Sequence, residues 1–345
     1  MNKDRNWYER KWHNRRALIS RERRQEKYGV KRREPDLNDD RTEPLTRGGG
    51  IEGIIAEVQS SYVVVLHGDE YYRVSLSDIE TLNAGVQLVV GDRVLFDRID
   101  EHAVIRDVLP RFSKLARVRV ERGRRSEFLK QEHILVANID VAIIVAAAAS
   151  PPFHPRLIDR YLILCQYGNV SPVICINKLD LVDKPPDLSV YTSMGVPAVY
   201  VSASSGLGMD ELLSHVTNKV SVLTGHSGVG KSSIVNWLLG AEVLRVGEVG
   251  GHSGRGRHTT VTSTLHRRDE NTYLIDTPGI RALAFWKADK VTLKFYFPEF
   301  APYAPECRFR NCSHTHEPDC AVKAAARAGL VSPARYDSYL RLMSE

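Results

Sequence analysis

Two short motifs, in an unusual order along the chain, constrain the fold more than any other feature. The tetrad Asn177-Lys178-Leu179-Asp180 follows one apolar run, and the glycine-rich loop Gly225-His226-Ser227-Gly228-Val229-Gly230-Lys231-Ser232 follows a later one. In most chains that carry both motifs, the glycine-rich loop comes first. The motifs of one site therefore follow each other along the chain in a permuted order. If they form one site, the strands of the sheet must also be connected in a permuted order.

Length and composition limit the class of protein. A chain of 345 residues is long enough for two or three domains of about 100–200 residues each. Its apolar fraction of 43% and charged fraction of 26% are typical of globular proteins. No run approaches the roughly 18 apolar residues of a membrane span, and the N-terminus lacks the apolar core of a secretion signal. We therefore expect a cytoplasmic protein that does not contact membranes.

The region around both motifs has an α/β pattern. Near-continuous apolar runs predict strands of a parallel sheet buried on both faces, at Val141–Val145, Val173–Ile176, Ala198–Val201, Val220–Leu223 and Tyr273–Ile275. Three stretches between them have helical periodicity, at Arg156–Tyr167, Asp210–Val216 and Ser232–Leu239.

The glycine-rich loop has the spacing and the context of a phosphate-binding loop. It lies between an apolar strand and a helix, as that motif requires. Its backbone N–H groups can wrap phosphates, and the start of the following helix favours their charge. Lys231 is predicted to reach the β- and γ-phosphates, and the Ser232 hydroxyl to bind Mg²⁺.

The tetrad indicates which base accompanies the phosphates. A carboxylate such as Asp180 can accept two hydrogen bonds from the edge of guanine, which adenine cannot supply. Ser202 and Ala203 end the next strand and match a loop that backs the guanine ring. The sequence therefore predicts a GTP/GDP site, with a base-binding set that comprises Asn177, Lys178, Asp180, Ser202 and Ala203.

Two further segments resemble nucleotide-dependent switches. Asp276 is expected to hold the Mg²⁺ shell through water, and the Gly279 N–H to sense the γ-phosphate. One of Thr259 or Thr260 is expected to close on Mg²⁺ and γ-phosphate when GTP is bound. Ile280 stands where Ras-like enzymes carry the glutamine that orients the attacking water. Either His258 or a binding partner must then take that role.

Three cysteines and a histidine near the C-terminus have the spacing of a metal site. Cys307, Cys312, His314 and Cys320 offer three thiolates and one imidazole, a closed set that favours structural Zn²⁺. On spacing alone, His316 could replace His314. Cys165 and Cys175 lie in apolar runs and are predicted to be buried.

Regions outside the α/β pattern differ in composition. Residues 51–110 contain six short β-type runs and predict a small β-barrel, either an OB-fold or an SH3-like barrel. Met1–Arg33 carries 13 Lys and Arg against four Asp and Glu, so it is either a solvated tail or an RNA contact. Pro110–Lys130 is a second basic stretch, interpreted as a connector or as a surface for RNA phosphates.

The order of these motifs resembles that of the ribosome small-subunit-dependent GTPase A family of circularly permuted GTPases. The resemblance covers roughly Ile51–Tyr339, and its most specific segments are Gly225–Ser233, Gly254–Thr260, Asp276–Gly279 and Cys307–His314. It adds Ser233 to the nucleotide-binding set, favours His314 as the zinc ligand and gives His258 a catalytic role. Two departures are the pair Thr259-Thr260, where the family often has three threonines, and the long basic N-terminus.

The resemblance implies a GTP hydrolase that acts in late maturation of the small (30S) ribosomal subunit, binds its 16S rRNA and is stimulated by the subunit. The alternatives are a permuted GTPase for another ribonucleoprotein such as the large subunit, and an RNA scaffold without turnover.

We expect a monomeric, multi-domain α/β protein. Its parts are a basic, flexible extension (1–50), an OB-like barrel (51–110), a circularly permuted P-loop GTPase domain with the basic connector (111–296) and a zinc-binding, mostly helical domain (297–345).

Overall fold

The computed structural model describes residues 50–79, 87–99, 102–122, 128–242, 263–276 and 290–345. Residues from Ile51 to Glu345 belong to one compact unit. Residues 1–49 of the predicted N-terminal extension lie outside the described residues, as do His258, Thr259, Thr260, Gly279 and Ile280. None of the helices in the described ranges is long and apolar enough to cross a membrane.

A parallel sheet forms the centre of this unit, as the apolar runs predict. Its strands are Val141–Ala147 (β8), Ser171–Asn177 (β9), Ala198–Tyr200 (β10), Val220–Gly225 (β11) and Tyr273–Asp276 (β13). They lie in the order β10-β9-β8-β11-β13, and adjacent strands within this series are parallel. Because the strands run in one direction, the residues that follow them lie at one edge of the sheet.

The predicted helices are also present in this region. They are Pro155–Gly168 (α1), Met209–Val216 (α3) and Lys231–Leu239 (α4), and a single turn at Ser189–Thr192 is α2. Apolar side chains of α3 and α4 pack with alternate residues of β8, including Val141, Ile143 and Val145. Helix α1 begins with Pro155 at its first turn, where a missing N–H costs nothing, and packs against β8 and β9.

Residues 51–110 form an antiparallel set of five described strands. These are Ile51–Val58 (β1), Tyr62–His67 (β2), Glu70–Ser75 (β3), Arg93–Ile99 (β4) and His102–Val108 (β5), in the order β3-β2-β1-β4-β5. The sixth predicted run, Leu88–Val90, is not a strand: Val90 makes only an isolated bridge to Val136. A turn explains the difference, because buried Asp92 accepts a hydrogen bond from the Val89 N–H at 2.9 Å.

Strand β12, Thr264–Arg267, joins the two regions and was not predicted. It pairs with β13 on one side and with β1 on the other, so that Thr264 lies opposite both Asp276 and Glu57. In the part of the chain that the structure describes, eleven strands thereby form one sheet. The strand is short, and its sequence Thr-Leu-His-Arg has little apolar character.

The basic connector is also more ordered than its composition indicates. Lys114–Arg122 (β6) and Phe128–Ala137 (β7) pair antiparallel as a two-stranded sheet. In the sequence, Val118 and Val120 alternate with arginines, which is the period-2 pattern of a strand. The high density of positive charge concealed this pattern.

An ion pair at buried Asp92 and the side chain of Asn138 connect the five-stranded region to the residues that precede β8. Arg111 donates through Nε and Nη2 to the two carboxylate oxygens of Asp92, at 2.6 and 2.7 Å, and Asp92 is fully buried. Next to this pair, Asn138 donates to the Gly91 carbonyl at 2.9 Å and accepts from the Phe112 N–H at 3.1 Å. Such bidentate, fully paired contacts set the geometry of the junction.

The C-terminal residues form a mostly helical module, as predicted. Its helices are Lys290–Leu293 (α5), Ala321–Arg327 (α6) and Pro333–Ser344 (α7), with 3₁₀ turns at Lys294–Tyr296, Pro298–Phe300 and Ala304–Glu306. An apolar cluster that includes Phe297, Phe300 and Tyr339 also contains Ile163 of α1. The module therefore packs directly against a helix of the parallel sheet.

Candidate functional site

The tetrad and the phosphate loop meet at one edge of the parallel sheet. Asn177 ends β9, and its side-chain amide donates to the Val229 carbonyl in the loop at 2.9 Å. Its amide oxygen accepts from the backbone N–H of Ala203, at 3.1 Å. The side chain is buried. Asn177 thus connects the tetrad, the Ser202-Ala203 segment and the loop.

Glycines allow the close approaches that this arrangement needs. A Cβ on Gly230 would lie 2.3 Å from the Asn177 amide nitrogen, and the φ of Gly230 is +91°. A Cβ on Gly225 would lie 2.1 Å from the Val145 carbonyl oxygen. Both distances exclude a side chain, so the loop can wrap tightly only with glycine at these positions.

Lys231 is the first residue of α4, and its side chain curls back over the loop. Its ammonium donates to the carbonyls of His226 and Gly225, at 2.7 and 3.0 Å. This places a positive charge where a phosphate loop holds its anion, next to the positive end of the helix. Ser232 and Ser233 follow in the same first turn.

Asp180 is placed by the Ser202-Ala203 segment. The Ser202 hydroxyl donates to the Asp180 carboxylate at 2.5 Å. This hydrogen bond is the main reason that the pKa of Asp180 lies below its ordinary value, with a smaller opposing contribution from desolvation. The carboxylate is therefore ionised at neutral pH, as acceptance of two hydrogen bonds from a base requires.

Two other contacts of this site were not predicted from the sequence. Lys178 has a left-handed backbone, with φ of +62°, and its ammonium donates to the Ser150 carbonyl. The hydroxyl of Ser204 lies 2.9 Å from that of Ser202 and helps to lower the pKa of Asp180. Ser150 stands far from the motifs along the chain, whereas Ser204 follows Ser202 and Ala203 directly.

Asp276 lies at the same edge of the sheet. It is the last residue of β13, which is parallel to β11, and β11 ends at Gly225 of the loop. A hydroxyl from Ser232 and a carboxylate from Asp276 are the oxygen donors that Mg²⁺ prefers. The other predicted magnesium ligands, Thr259 and Thr260, lie outside the described residues.

The predicted metal ligands converge in the C-terminal module. Ligand atoms of Cys307, Cys312, His314 and Cys320 all lie within 4.8 Å of one another. The His314 Nδ1 is 3.5 Å from the sulfurs of Cys307 and Cys320, which are 3.8 Å apart. A tetrahedron with bonds of about 2.3 Å has edges of roughly 3.7 Å, so the spacing fits Zn²⁺.

Surrounding contacts orient this cluster. Glu317 accepts hydrogen bonds from the backbone N–H groups of Ser313 and Thr315, on either side of His314. The Tyr336 hydroxyl donates to the His314 carbonyl at 2.7 Å. His316 is exposed, and its Nδ1 contacts the Thr315 hydroxyl instead. Cys165 and Cys175 are buried elsewhere, as predicted.

Comparison with known proteins identifies relatives of this chain. The RsgA GTPase family model matches residues 108–286. The Small ribosomal subunit biogenesis GTPase RsgA of Chlorobaculum tepidum is 38% identical over 302 residues, which cover 85% of this chain and 97% of that protein. The protein of the same name from Gemmatimonas aurantiaca is 41% identical over 269 residues, or 76% of this chain and 86% of that one.

Solved structures agree with the permuted connectivity. YjeQ from Thermotoga maritima is similar with a TM-score of 0.65 and 29% identity, covering 85% of this chain and 97% of the other. YloQ, described as a circularly permuted GTPase, has the same TM-score at 24% identity, over 88% and 97% of the two chains, and supports the fold. The chain therefore belongs to the RsgA family of circularly permuted GTPases.

Proposed function

We propose that this chain hydrolyses GTP during late maturation of the small ribosomal subunit, binds the 16S rRNA and is stimulated by the subunit. The main support for a guanine-nucleotide site is the hydrogen bond of Asn177 with Val229, which joins the tetrad to the phosphate loop. The names of the relatives, which refer to small-subunit biogenesis, support the choice of substrate particle.

In the proposed site, one group of residues binds the guanine base, a second binds the phosphates and a third binds Mg²⁺. Asp180 and Ser202-Ala203 select and back the guanine, with Asn177 and Lys178 holding the surrounding loops. The loop residues Gly225 to Gly230 offer backbone N–H groups to the phosphates, and Lys231 moves from loop carbonyls to phosphate oxygens. Ser232, Asp276 and one of Thr259 or Thr260 would hold Mg²⁺, which would neutralise the negative charge that develops on the phosphates. Ser233 and Gly279 complete the proposed set.

The water-activating role is assigned to His258, because Ile280 has no group that can orient water. An imidazole can accept or position a proton at neutral pH, since its ordinary pKa is close to 6.5.

The metal cluster is proposed to bind one structural Zn²⁺. Its three sulfurs and one nitrogen would supply all four ligands of a structural zinc site, which would leave no position for substrate. The metal would therefore hold the C-terminal module together, and bound Zn²⁺ would take no part in hydrolysis.

The five-stranded region is proposed to be an OB-fold that contacts rRNA. The strand order β3-β2-β1-β4-β5 supports this, together with a parallel bridge from Ile79, after β3, to Ile105 of β5, which brings the two ends together. The proposed functional divisions are residues 51–110, 111–296 and 297–345. The basic segment 1–50 would add rRNA phosphate contacts.

One copy of the chain is the proposed acting unit, in the cytoplasm where subunits assemble.

One experiment separates this function from its rivals. GTP turnover is measured for the chain alone, with small subunits and with large subunits. Lys231→Ala serves as the inactive control and reveals turnover that comes from the ribosome preparation. Stimulation by small subunits alone supports the proposal. Stimulation by large subunits would transfer the function to that particle, and no turnover in any mixture would indicate a scaffold.

A further inference from the structure

One exposed aromatic side chain lies at the tip of the metal-binding module. Phe309 belongs to the segment Arg308-Phe309-Arg310-Asn311, which connects the clustered residues Cys307 and Cys312. All four residues of this segment, which we call the tip, are exposed, and Phe309 leaves 40% of its surface in solvent.

The core of the module does not require this side chain. The apolar cluster around the metal ligands contains Phe297 and Phe300, which are 1% and 2% exposed, and it does not include Phe309. Single exposed apolar residues are common, so exposure alone does not identify a binding site. The charges and the fixed geometry of the tip supply the further argument.

The tip is held in one conformation by its two ends. Both flanking cysteines belong to the metal cluster, and the Cys312 N–H donates to the Phe309 carbonyl at 3.1 Å. The Arg308 N–H donates to the Asp319 carbonyl, at 3.4 Å. An aromatic ring presented on such a short, anchored turn loses little conformational entropy when it binds a partner.

Arg308 and Arg310 flank Phe309 in the sequence. The Arg308 guanidinium carbon lies 5.6 Å from the ring centroid of Phe309, and its Nη1 is paired with Asp319 at 3.0 Å. Arg310 is exposed and has no ion pair among the described residues. The tip therefore combines a flat apolar ring with positive charge available for an anion.

We propose that the tip binds single-stranded RNA, with Phe309 stacked on an unpaired base and Arg310 on a neighbouring phosphate. In an A-form helix the paired bases stack on each other, so an aromatic side chain cannot stack on their faces. Loops and bulges, in contrast, present free base faces. Asn311 adds an amide that can pair with a base edge. A protein partner is disfavoured, because protein interfaces have an apolar centre and the neighbours of Phe309 in the tip are all polar.

This inference rests on the proposed function for its natural partner, the rRNA of the small subunit. A test with full-length chain therefore uses two probes. The first is the small subunit in the presence of a non-hydrolysable GTP analogue. The second is a labelled single-stranded RNA oligonucleotide, compared with a hairpin of the same length.

Affinity is measured for Phe309→Leu, for Phe309→Trp and for the matched control Leu330→Ala. Leu330 is also exposed, at 66%, on the same module. Stacking on a base contributes enough that Phe309→Leu is expected to weaken binding to the single strand and the subunit roughly 5- to 100-fold. Phe309→Trp and Leu330→Ala should bind like the wild type, and all variants should retain zinc content and basal GTP turnover.

A photo-crosslinking amino acid at position 309 identifies the partner directly. Crosslinks to an unpaired rRNA nucleotide support the inference, while crosslinks only to a ribosomal protein or to paired rRNA overturn it. Wild-type affinity of Phe309→Leu for both probes also overturns it and leaves the proposed function intact. If the wild type does not bind small subunits, the proposed function fails, and the oligonucleotide alone decides whether the tip binds single-stranded RNA.

Discussion

The side-chain amide of Asn177 donates a hydrogen bond to the backbone carbonyl of Val229, across 2.9 Å. This contact joins a base-reading motif to a phosphate loop that follows it in the chain, although in most GTPases the order is reversed. The permuted order therefore still brings the residues at the ends of β9 and β11 together. The Asn177 side chain is buried, and both its amide nitrogen and its amide oxygen make hydrogen bonds within the protein. Its main contribution is therefore to fix the positions of the segments that form the site.

Base selection is expected to depend on Asp180. Asp180→Asn replaces two acceptors by one acceptor and one donor, which no longer match the N–H groups of guanine. Loss of a charge-assisted hydrogen bond costs about 1.5–3 kcal/mol, so GTP affinity should fall roughly 10- to 100-fold. The variant should bind xanthosine triphosphate more tightly than the wild type does, because xanthine carries an oxygen in place of the guanine amino group. Competition against a fluorescent nucleotide measures both affinities.

The matched control is Asp183→Asn, which changes an exposed carboxylate shortly after the tetrad. It should retain wild-type affinity for GTP. Unchanged GTP affinity and selectivity in Asp180→Asn would remove Asp180 from base recognition.

Hydrolysis stimulated by the subunit is expected to depend on His258. His258→Ala should lower stimulated turnover on the order of 100-fold, the contribution typical of one positioned acid–base group. Nucleotide affinity should not change, since the residue is assigned to the attacking water. Single-turnover hydrolysis with small subunits measures the effect, and His252→Ala in the same segment is the control. A normal stimulated rate in His258→Ala would assign the role to the ribosome.

Zinc binding is expected to distinguish His314 from His316. His314→Ala removes one of the four converging ligands and should reduce bound zinc well below one per chain. His316→Ala should keep its zinc, because that side chain is exposed and outside the cluster. Metal analysis of the purified variants, with thermal unfolding, tests this assignment. Equal zinc content in both variants would contradict it.

The parallel sheet and the metal cluster could be predicted because their signals are local. Strands β8, β9 and β11 are continuous apolar runs, and the cluster lies within one short segment. The tetrad and loop are recognised by spacing alone. Each of these patterns depends on residues that are close in the sequence, so a single chain is enough to find them.

The parts that escaped prediction depend on distant residues. Strand β12 owes its existence to partners on both sides, β1 and β13, and its own four residues have no strong preference. The hairpin β6–β7 was concealed by its charge. The contact of Lys178 with Ser150 joins residues from separate loops. Such pairings are set by tertiary packing, which overrides local propensity.

A buried ion pair between the C-terminal module and α1 is expected to be the most sensitive charged contact in the described structure. Arg335 of α7 donates to Asp159 of α1 at 2.6 Å and to Glu299 at 2.7 Å, and Asp159 also accepts from the Tyr191 hydroxyl at 2.9 Å. Arg335 and Asp159 are each only 3% exposed. Removing one partner leaves carboxylates buried without a positive charge, which costs about 3–5 kcal/mol.

Arg335→Ala should therefore lower the free energy of unfolding by about 3–5 kcal/mol, measured from the urea midpoint and slope. The matched control is Arg341→Ala, on the same helix, where the pair with Asp337 is half exposed and contributes at most about 0.5 kcal/mol. Arg335→Met tests the origin of the effect, because an apolar side chain of similar length restores packing and leaves Asp159 and Glu299 unpaired. If Arg335→Met were as stable as the wild type, packing and not charge pairing would hold the module against α1.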